Sequence, residues 1–216
     1  MIDTALVGAE LSDPAGMLAS MQTRPIRDRD DLEAVLRTAF THIGEVRHRL
    51  VGTAAACWQG VDLPVGDIDL LVSRRHDVDA IAQALARFPC ITAPRWLPAS
   101  HQYFASHSVD GVEFSVSTVE TPCPEDGWEC QGPGPWRHYV TVDGIDCVRL
   151  ELRLTTELLR GRPDRYTPLL AHLTTHGADL ELLHRSVTTR AVPETLAYLI
   201  GPVPSAPSEP PADRHQ

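Results

Sequence analysis

Two Asp-Gly pairs constrain the fold of this chain more than any other feature. Asp110-Gly111 separates the alternating segments 103–109 and 112–119, and Asp143-Gly144 separates 139–142 and 145–148. An Asp-Gly pair between two alternating apolar segments is the strongest short signal of a tight β-hairpin. The sequence therefore predicts two antiparallel hairpins in the middle of the chain.

Helical and strand-like segments flank these hairpins in a definite order. Apolar residues recur at helical spacing in residues 30–40, 54–58 and 78–88, whereas 49–51 and 67–72 have the pattern of short strands. After residue 152 only helical patterns remain, separated by Gly and Pro, at 154–160, 166–176, 180–187 and 194–200. We therefore predict an α/β fold, in which a small mixed sheet with flanking helices is followed by a helical C-terminal part.

The length of 216 residues allows one catalytic domain or two small lobes. We predict a loose N-terminal extension at 1–26, an α/β domain at 27–152, a helical region at 153–200 and a disordered tail at 201–216, which has five prolines. No apolar run is long enough to span a membrane and no secretory signal precedes the domain, so a cytoplasmic location without membrane association is expected.

Charge and cysteine content restrict the possible partners. The formal net charge is −10, which disfavours a nucleic-acid partner and favours a small or cationic one. All 19 basic residues are Arg, so charged contacts to a phosphate must come from Arg, and Schiff-base chemistry on Lys is excluded. The five cysteines are an odd number without a secretory signal, which predicts free thiols.

Acidic residues in two strands suggest a metal site. Asp67 and Asp69 are two residues apart in a strand, so both side chains project from one face. Two close carboxylates repel each other unless a cation lies between them, and oxygen ligands of this kind suit Mg²⁺. Glu113, in the second strand of the first hairpin, could add a third carboxylate, although the same position suits an exposed hairpin residue. Gly52 would let the backbone approach a phosphate, and the hydroxyl of Thr53 could donate to it.

The order of these residues resembles a known signature. A hydrophobic residue, Gly-Thr and then Asp-x-Asp in a strand is similar to the pattern of the nucleotidyltransferase superfamily, which has a polymerase-β-like fold. Residues 60–72 most resemble bacterial members of the minimal and abortive-infection type, and the superfamily also includes small antibiotic nucleotidyltransferases. The resemblance covers residues 51–115.

The resemblance implies roles for individual residues. Asp67, Asp69 and Glu113 would be catalytic and would ligate Mg²⁺, and Glu113 could alternatively be the base that takes the proton from the attacking hydroxyl. From the residues alone, Glu151 is the competing third acid. Gly52 and Thr53 would contact the triphosphate. Where abortive-infection-type members have Lys on a C-terminal helix, this chain would have to use Arg160, Arg162 or Arg165.

The implied activity is Mg²⁺-dependent transfer of a nucleoside monophosphate from a nucleoside triphosphate, such as ATP, to a hydroxyl group. The acidic net charge favours a small, antibiotic-like acceptor. Two alternatives stay open at this stage: a toxin-like transferase acting on tRNA, and a catalytically silent module of the same fold that binds a nucleotide or a partner. The sequence does not indicate an oligomeric state.

Overall fold

A seven-stranded mixed sheet lies at the centre of the computed structural model, which describes residues 23–206. Its strands are His48–Val51 (β1), Asp67–Val72 (β2), Cys90–Leu97 (β3), Gln102–Val109 (β4), Val112–Val119 (β5), Tyr139–Val142 (β6) and Ile145–Val148 (β7). They are arranged in the order β3-β4-β5-β2-β1-β7-β6. The central strand β2 runs parallel to β5 and antiparallel to β1, and β1 is parallel to β7, so the predicted mixed sheet is confirmed.

Helices surround this sheet and form the C-terminal part. Within residues 23–206 the α-helices are Arg29–Ile43 (α1), Gly52–Trp58 (α2), Arg75–Ala84 (α3), Gly134–Arg137 (α4), Leu150–Leu159 (α5), Pro163–His176 (α6), Leu180–Thr189 (α7) and Glu194–Ala197 (α8). A 3₁₀ helix, Tyr198–Ile200, follows α8. None of the helices in this described part combines the length and apolar character needed to cross a bilayer.

Both predicted hairpins form, and their turns have the backbone conformation that Asp-Gly favours. Asp110 and Gly111 have φ angles of 51° and 81°, and Asp143 and Gly144 have 49° and 81°. Positive φ at both central residues is the requirement of a type I′ turn, whose twist matches that of the flanking strands. The two turns therefore pair β4 with β5 and β6 with β7.

Two hydrophobic clusters divide the interior. The larger one contains the inward side chains of the sheet, such as Ile68, Leu70 and Phe114, together with residues of α1 and α3. The smaller one lies among α5, α6 and α7. Helix α5 contributes to both, because Leu152 belongs to the first cluster and Leu154 to the second. The predicted boundary between residues 152 and 153 lies within this helix.

The sequence patterns did not indicate every element. β3 was not predicted. Helix α3 was predicted at 78–88, but it begins three residues earlier, at Arg75, and ends four residues earlier, at Ala84. β3 is an edge strand with mostly exposed residues and shifts in its register with β4, so it lacks the alternation that marks a half-buried strand.

The described ends of the chain pack against the domain. The amide of Arg24 donates to the carbonyl of Gly111 at 2.8 Å, and Ile26 is buried. Near the other end, Val203 is buried and Ser205 forms a β-bridge with Ala178. The remainder of the predicted extension, 1–22, and of the predicted tail, 207–216, lies outside the described residues.

Candidate active site

Strand register places the predicted acids on one face of the sheet. Asp67 pairs with Glu113 and Asp69 pairs with Ser115 across the parallel strands β2 and β5. Paired residues on neighbouring strands project in the same direction, and residues two apart in one strand share a face. Asp67, Asp69 and Glu113 therefore project from the face opposite to the buried side chain of Ile68.

A glycine turn lies directly against one of these carboxylates. Val51 at the end of β1 pairs with Asp69, and Gly52 follows with a φ angle of 71°. A Cβ atom at Gly52 would lie 2.8 Å from Oδ2 of Asp69, which is closer than real Cβ contacts come. Gly52 is thus required both by its backbone conformation and by the proximity of the carboxylate.

Burial and a neighbouring carboxylate dominate the electrostatics of Asp69 and outweigh the opposing charge of Arg153. Burial raises the pKa of Asp69 to about 6, and the neighbouring carboxylate of Asp67 contributes to the rise. The hydroxyl of Ser115 donates to Oδ1 of Asp69 at 2.5 Å and acts in the opposite direction. A buried carboxylate beside a second one is stabilised in its ionised form by a nearby cation.

The third predicted acid does not join this pair in a common cluster. Glu113 is half-buried beside Asp67 but does not line the cavity above the sheet, and Ser115 occupies the position opposite Asp69. Over residues 23–206, no three His, Cys, Asp or Glu side chains are grouped to hold a metal ion. The role of Glu113 as a ligand or base stays a prediction.

Glu151, the competing third acid, is engaged elsewhere. It is buried on α5, where one carboxylate oxygen accepts from the amide of Asp179 at 2.8 Å and the other from Arg149 at 3.3 Å. Glu151 therefore binds the backbone at Asp179, the residue that precedes α7, and it does not line the cavity. These contacts hold α5 and the start of α7 together.

A cavity of about 510 Å³ lies above Asp67 and Asp69. One wall is the sheet face with the turn Gly52-Thr53, and the opposite wall comes from the helical part and from residues 128–131. That second wall has the arginines Arg153, Arg160, Arg162, Arg165 and Arg190. The cavity therefore brings together five of the predicted site residues: Asp67, Asp69, Gly52, Thr53 and Arg160. Five arginines and three acidic residues line it, so its lining carries more positive than negative side chains.

Sequence reasoning missed a buried ion-pair network in the wall of this cavity. Arg153 donates to both carboxylate oxygens of Glu129 at 3.2 Å and pairs with Glu157 at 2.5 Å. The side chains of Arg153 and Glu129 are 6% and 3% exposed. The available signal was the charged Arg153 between Leu152 and Leu154 in an apolar helix, because a buried charge needs a partner.

Comparisons with known proteins concern the fold. No family model matches the chain, and no curated protein matches it. A Thermotoga maritima structure described as a candidate nucleotidyltransferase aligns with a TM-score of 0.50 and 20% identity, covering 68% of this chain and 96% of that one. A Helicobacter pylori structure with the same description aligns with a TM-score of 0.46 and 14% identity, covering 78% of this chain and 79% of that one. The order of strands, the paired aspartates beside a glycine turn and the similarity to the Thermotoga maritima structure together show that this chain has a nucleotidyltransferase-like fold.

Proposed function

We propose that the protein is a nucleotidyltransferase that binds a magnesium–nucleoside triphosphate, such as ATP, in this cavity. It would transfer the nucleoside monophosphate to a hydroxyl group of a small-molecule acceptor. The observation that carries the proposal is the combination, in one cavity, of two same-face carboxylates, an adjacent glycine turn and an arginine-rich wall.

The donor set of the cavity suits Mg²⁺. Proteins commonly bind this ion through one or two carboxylates, with water and substrate phosphates completing the shell. Asp67 and Asp69 supply two such carboxylates from one strand, so Glu113 is not needed for the first ion. When bound there, Mg²⁺ would neutralise phosphate charge and polarise the α-phosphorus. In the proposal, Glu113 stays the residue that would help to activate the acceptor hydroxyl.

The arginine wall suits the triphosphate. Arg160 and Arg162 are 55% and 41% exposed, and both contact the single buried carboxylate of Glu157. Arg190 forms no ion pair with any residue in the range 23–206. These guanidinium groups therefore have unused capacity for phosphate oxygens, which an arginine can bind through two parallel hydrogen bonds.

The charge of the acceptor does not follow from the net charge of the chain. The net charge of −10 favours a cationic acceptor, yet the arginines outnumber the acids in the cavity. A small acceptor suits the volume, which is within the usual range for ligand pockets. A panel of acceptors should therefore include neutral and anionic hydroxyl compounds as well as aminoglycoside-like cations, with tRNA as the macromolecular alternative.

The test is pyrophosphate release from each nucleoside triphosphate, with Mg²⁺, across that panel. We expect turnover in the parent and a loss of about a hundredfold or more in Asp69→Asn, because the ion loses a ligand next to the reacting phosphate. Asp62→Asn is the matched control, since Asp62 is an exposed aspartate that does not line the cavity. Equal turnover in the two variants would contradict the assignment.

One observation favours a second candidate, a nucleotide-binding module without catalysis. Ser115 lies opposite Asp69, and the described residues contain no three-ligand metal cluster. Calorimetry with Mg²⁺ and triphosphate distinguishes the candidates. Binding accompanied by pyrophosphate release supports the transferase, whereas binding without release for any acceptor supports the silent module.

A further inference from the structure

A carboxylate of the protein itself, that of Glu129, lies on the side of the cavity that the proposed function assigns to phosphate. Oε1 of Glu129 accepts a hydrogen bond from the amide of Gly52 at 3.0 Å. The same carboxylate accepts from Arg153 through both of its oxygens at 3.2 Å. Arg153 also reaches Oγ1 of Thr53 at 3.4 Å, so these donors form one continuous group.

Two of these donors, the amide of Gly52 and the hydroxyl of Thr53, belong to the turn that would contact the triphosphate in the proposed function. The Gly52 amide has a single hydrogen, so a phosphate oxygen and the Glu129 carboxylate compete for it. A carboxylate that accepts from a backbone amide and a guanidinium reproduces the contacts of a phosphate oxygen at such a site. Resting on that proposed function, we propose that Glu129 is an internal competitor that occupies the phosphate subsite and is displaced when triphosphate binds.

Contacts before Glu129 limit which part of this segment can move. The segment is anchored before Glu129, where Asp126 contacts His138 at 2.8 Å and the carbonyl of Gly127 accepts from Ser186 at 2.6 Å. The anchoring confines the change to Glu129 and its immediate neighbours along the cavity.

Charge balance after displacement favours an incoming anion. Arg153 keeps Glu157 as a partner when Glu129 leaves, so it does not become an isolated buried charge. Glu157, however, is also contacted by Arg160 and Arg162. Three guanidinium groups then share one carboxylate, and the phosphates of the ligand supply the missing negative charge.

The test compares triphosphate affinity in variants of residue 129. Glu129→Gln keeps the shape of the side chain but removes its charge, and Glu129→Ala removes the competing group. We expect magnesium–ATP to bind about tenfold or more tightly to each variant than to the parent in isothermal titration calorimetry, because charge-assisted hydrogen bonds to the internal carboxylate no longer have to be broken. Glu125→Gln is the matched control, because Glu125 is an exposed residue of the same segment that does not line the cavity.

The direction of the change separates a competitor from a structural residue. A residue that only supports the fold would weaken binding or leave it unchanged on substitution, so either result in a folded Glu129→Gln protein overturns the inference. Circular dichroism checks that each variant is folded. If Glu129→Ala does not fold, the affinity of Glu129→Gln for magnesium–ATP alone tests the inference. Equal binding in parent and variants would leave the proposed function intact. Absence of binding in the parent and in every variant would overturn the proposed function and the inference with it.

Discussion

Replacing Gly52 with Ala should damage the site through two separable effects. Gly52 has a φ angle of 71°, and an L-residue with a side chain in the left-handed region costs about 1–2 kcal/mol. The added Cβ would also lie 2.8 Å from Oδ2 of Asp69, whose other oxygen is held by Ser115 at 2.5 Å. Because Asp69 cannot move away freely, this contact should add about 1–3 kcal/mol, as overpacking does in buried positions.

Gly144→Ala isolates the backbone effect. Gly144 has a φ angle of 81°, and a Cβ there would meet no atom within 4 Å. Urea unfolding should therefore show a loss of about 1–2 kcal/mol for Gly144→Ala and about 2–5 kcal/mol for Gly52→Ala. A displaced Asp69 should also lower triphosphate-dependent turnover by about a hundredfold in Gly52→Ala, with no change in Gly144→Ala. Equal losses of unfolding free energy would refute the argument, because they would show that the contact with Asp69 contributes nothing.

Three further predictions concern charged and sulfur-containing side chains. Hydrogen bonds, first of all from Arg27, hold the pKa of Asp31 well below its usual value. Asp31→Asn should therefore lower the unfolding free energy by about 1–3 kcal/mol at neutral pH, and the difference from the parent should shrink below pH ~4, where the unfolded carboxyl is protonated. A difference in urea unfolding that is independent of pH would contradict this reasoning. Burial raises the pKa of the Cys147 thiol to about 12, whereas Cys90 is exposed. Iodoacetamide should therefore label Cys90 first and Cys147 only after unfolding, which peptide mass spectrometry can measure. Arg153→Met should lower the unfolding free energy by about 3–5 kcal/mol, because it leaves the buried carboxylate of Glu129 without its ion-pair partner. A loss below about 1 kcal/mol would count against the network.

The parts of the fold that sequence predicts correctly are those encoded over a few neighbouring residues. The Asp-Gly turns fix two hairpins because only certain residues adopt positive φ easily. The segment 67–72 alternates and then becomes apolar, and the strand found there has these same limits. The side-by-side arrangement of Asp67 and Asp69 follows from strand geometry alone.

Contacts between distant segments are not encoded in this local way. Glu113 has the right strand and the right face, but the register between β2 and β5 pairs it with Asp67 and leaves Ser115 opposite Asp69. A shift of two residues along β5 would pair Glu113 with Asp69 and keep every side chain on the same face of the sheet. Glu129 and Gly52 are likewise far apart in the chain, and contacts of the segment around Glu129 with α5 and α7 bring them together, so their hydrogen bond had no signal in the sequence.

The charge of the cavity shows why net charge is a poor guide to the ligand of an individual site. At about 0.1 M salt, exposed charges more than about 10 Å apart are largely screened from each other, so a site responds mainly to the groups that line it. In this chain, the arginines that line the cavity come from α5, from α6, from the junction between them and from Arg190, which directly follows α7. The helical part thus supplies positive charge where the sheet supplies carboxylates, and this division suits a ligand that carries phosphates together with a divalent ion. A protein with an acidic net charge can therefore attract a polyanion at this position. Raising the ionic strength should weaken triphosphate binding, because salt screens the attraction between the arginines and the phosphates. An affinity that rises or stays constant with salt would contradict this account.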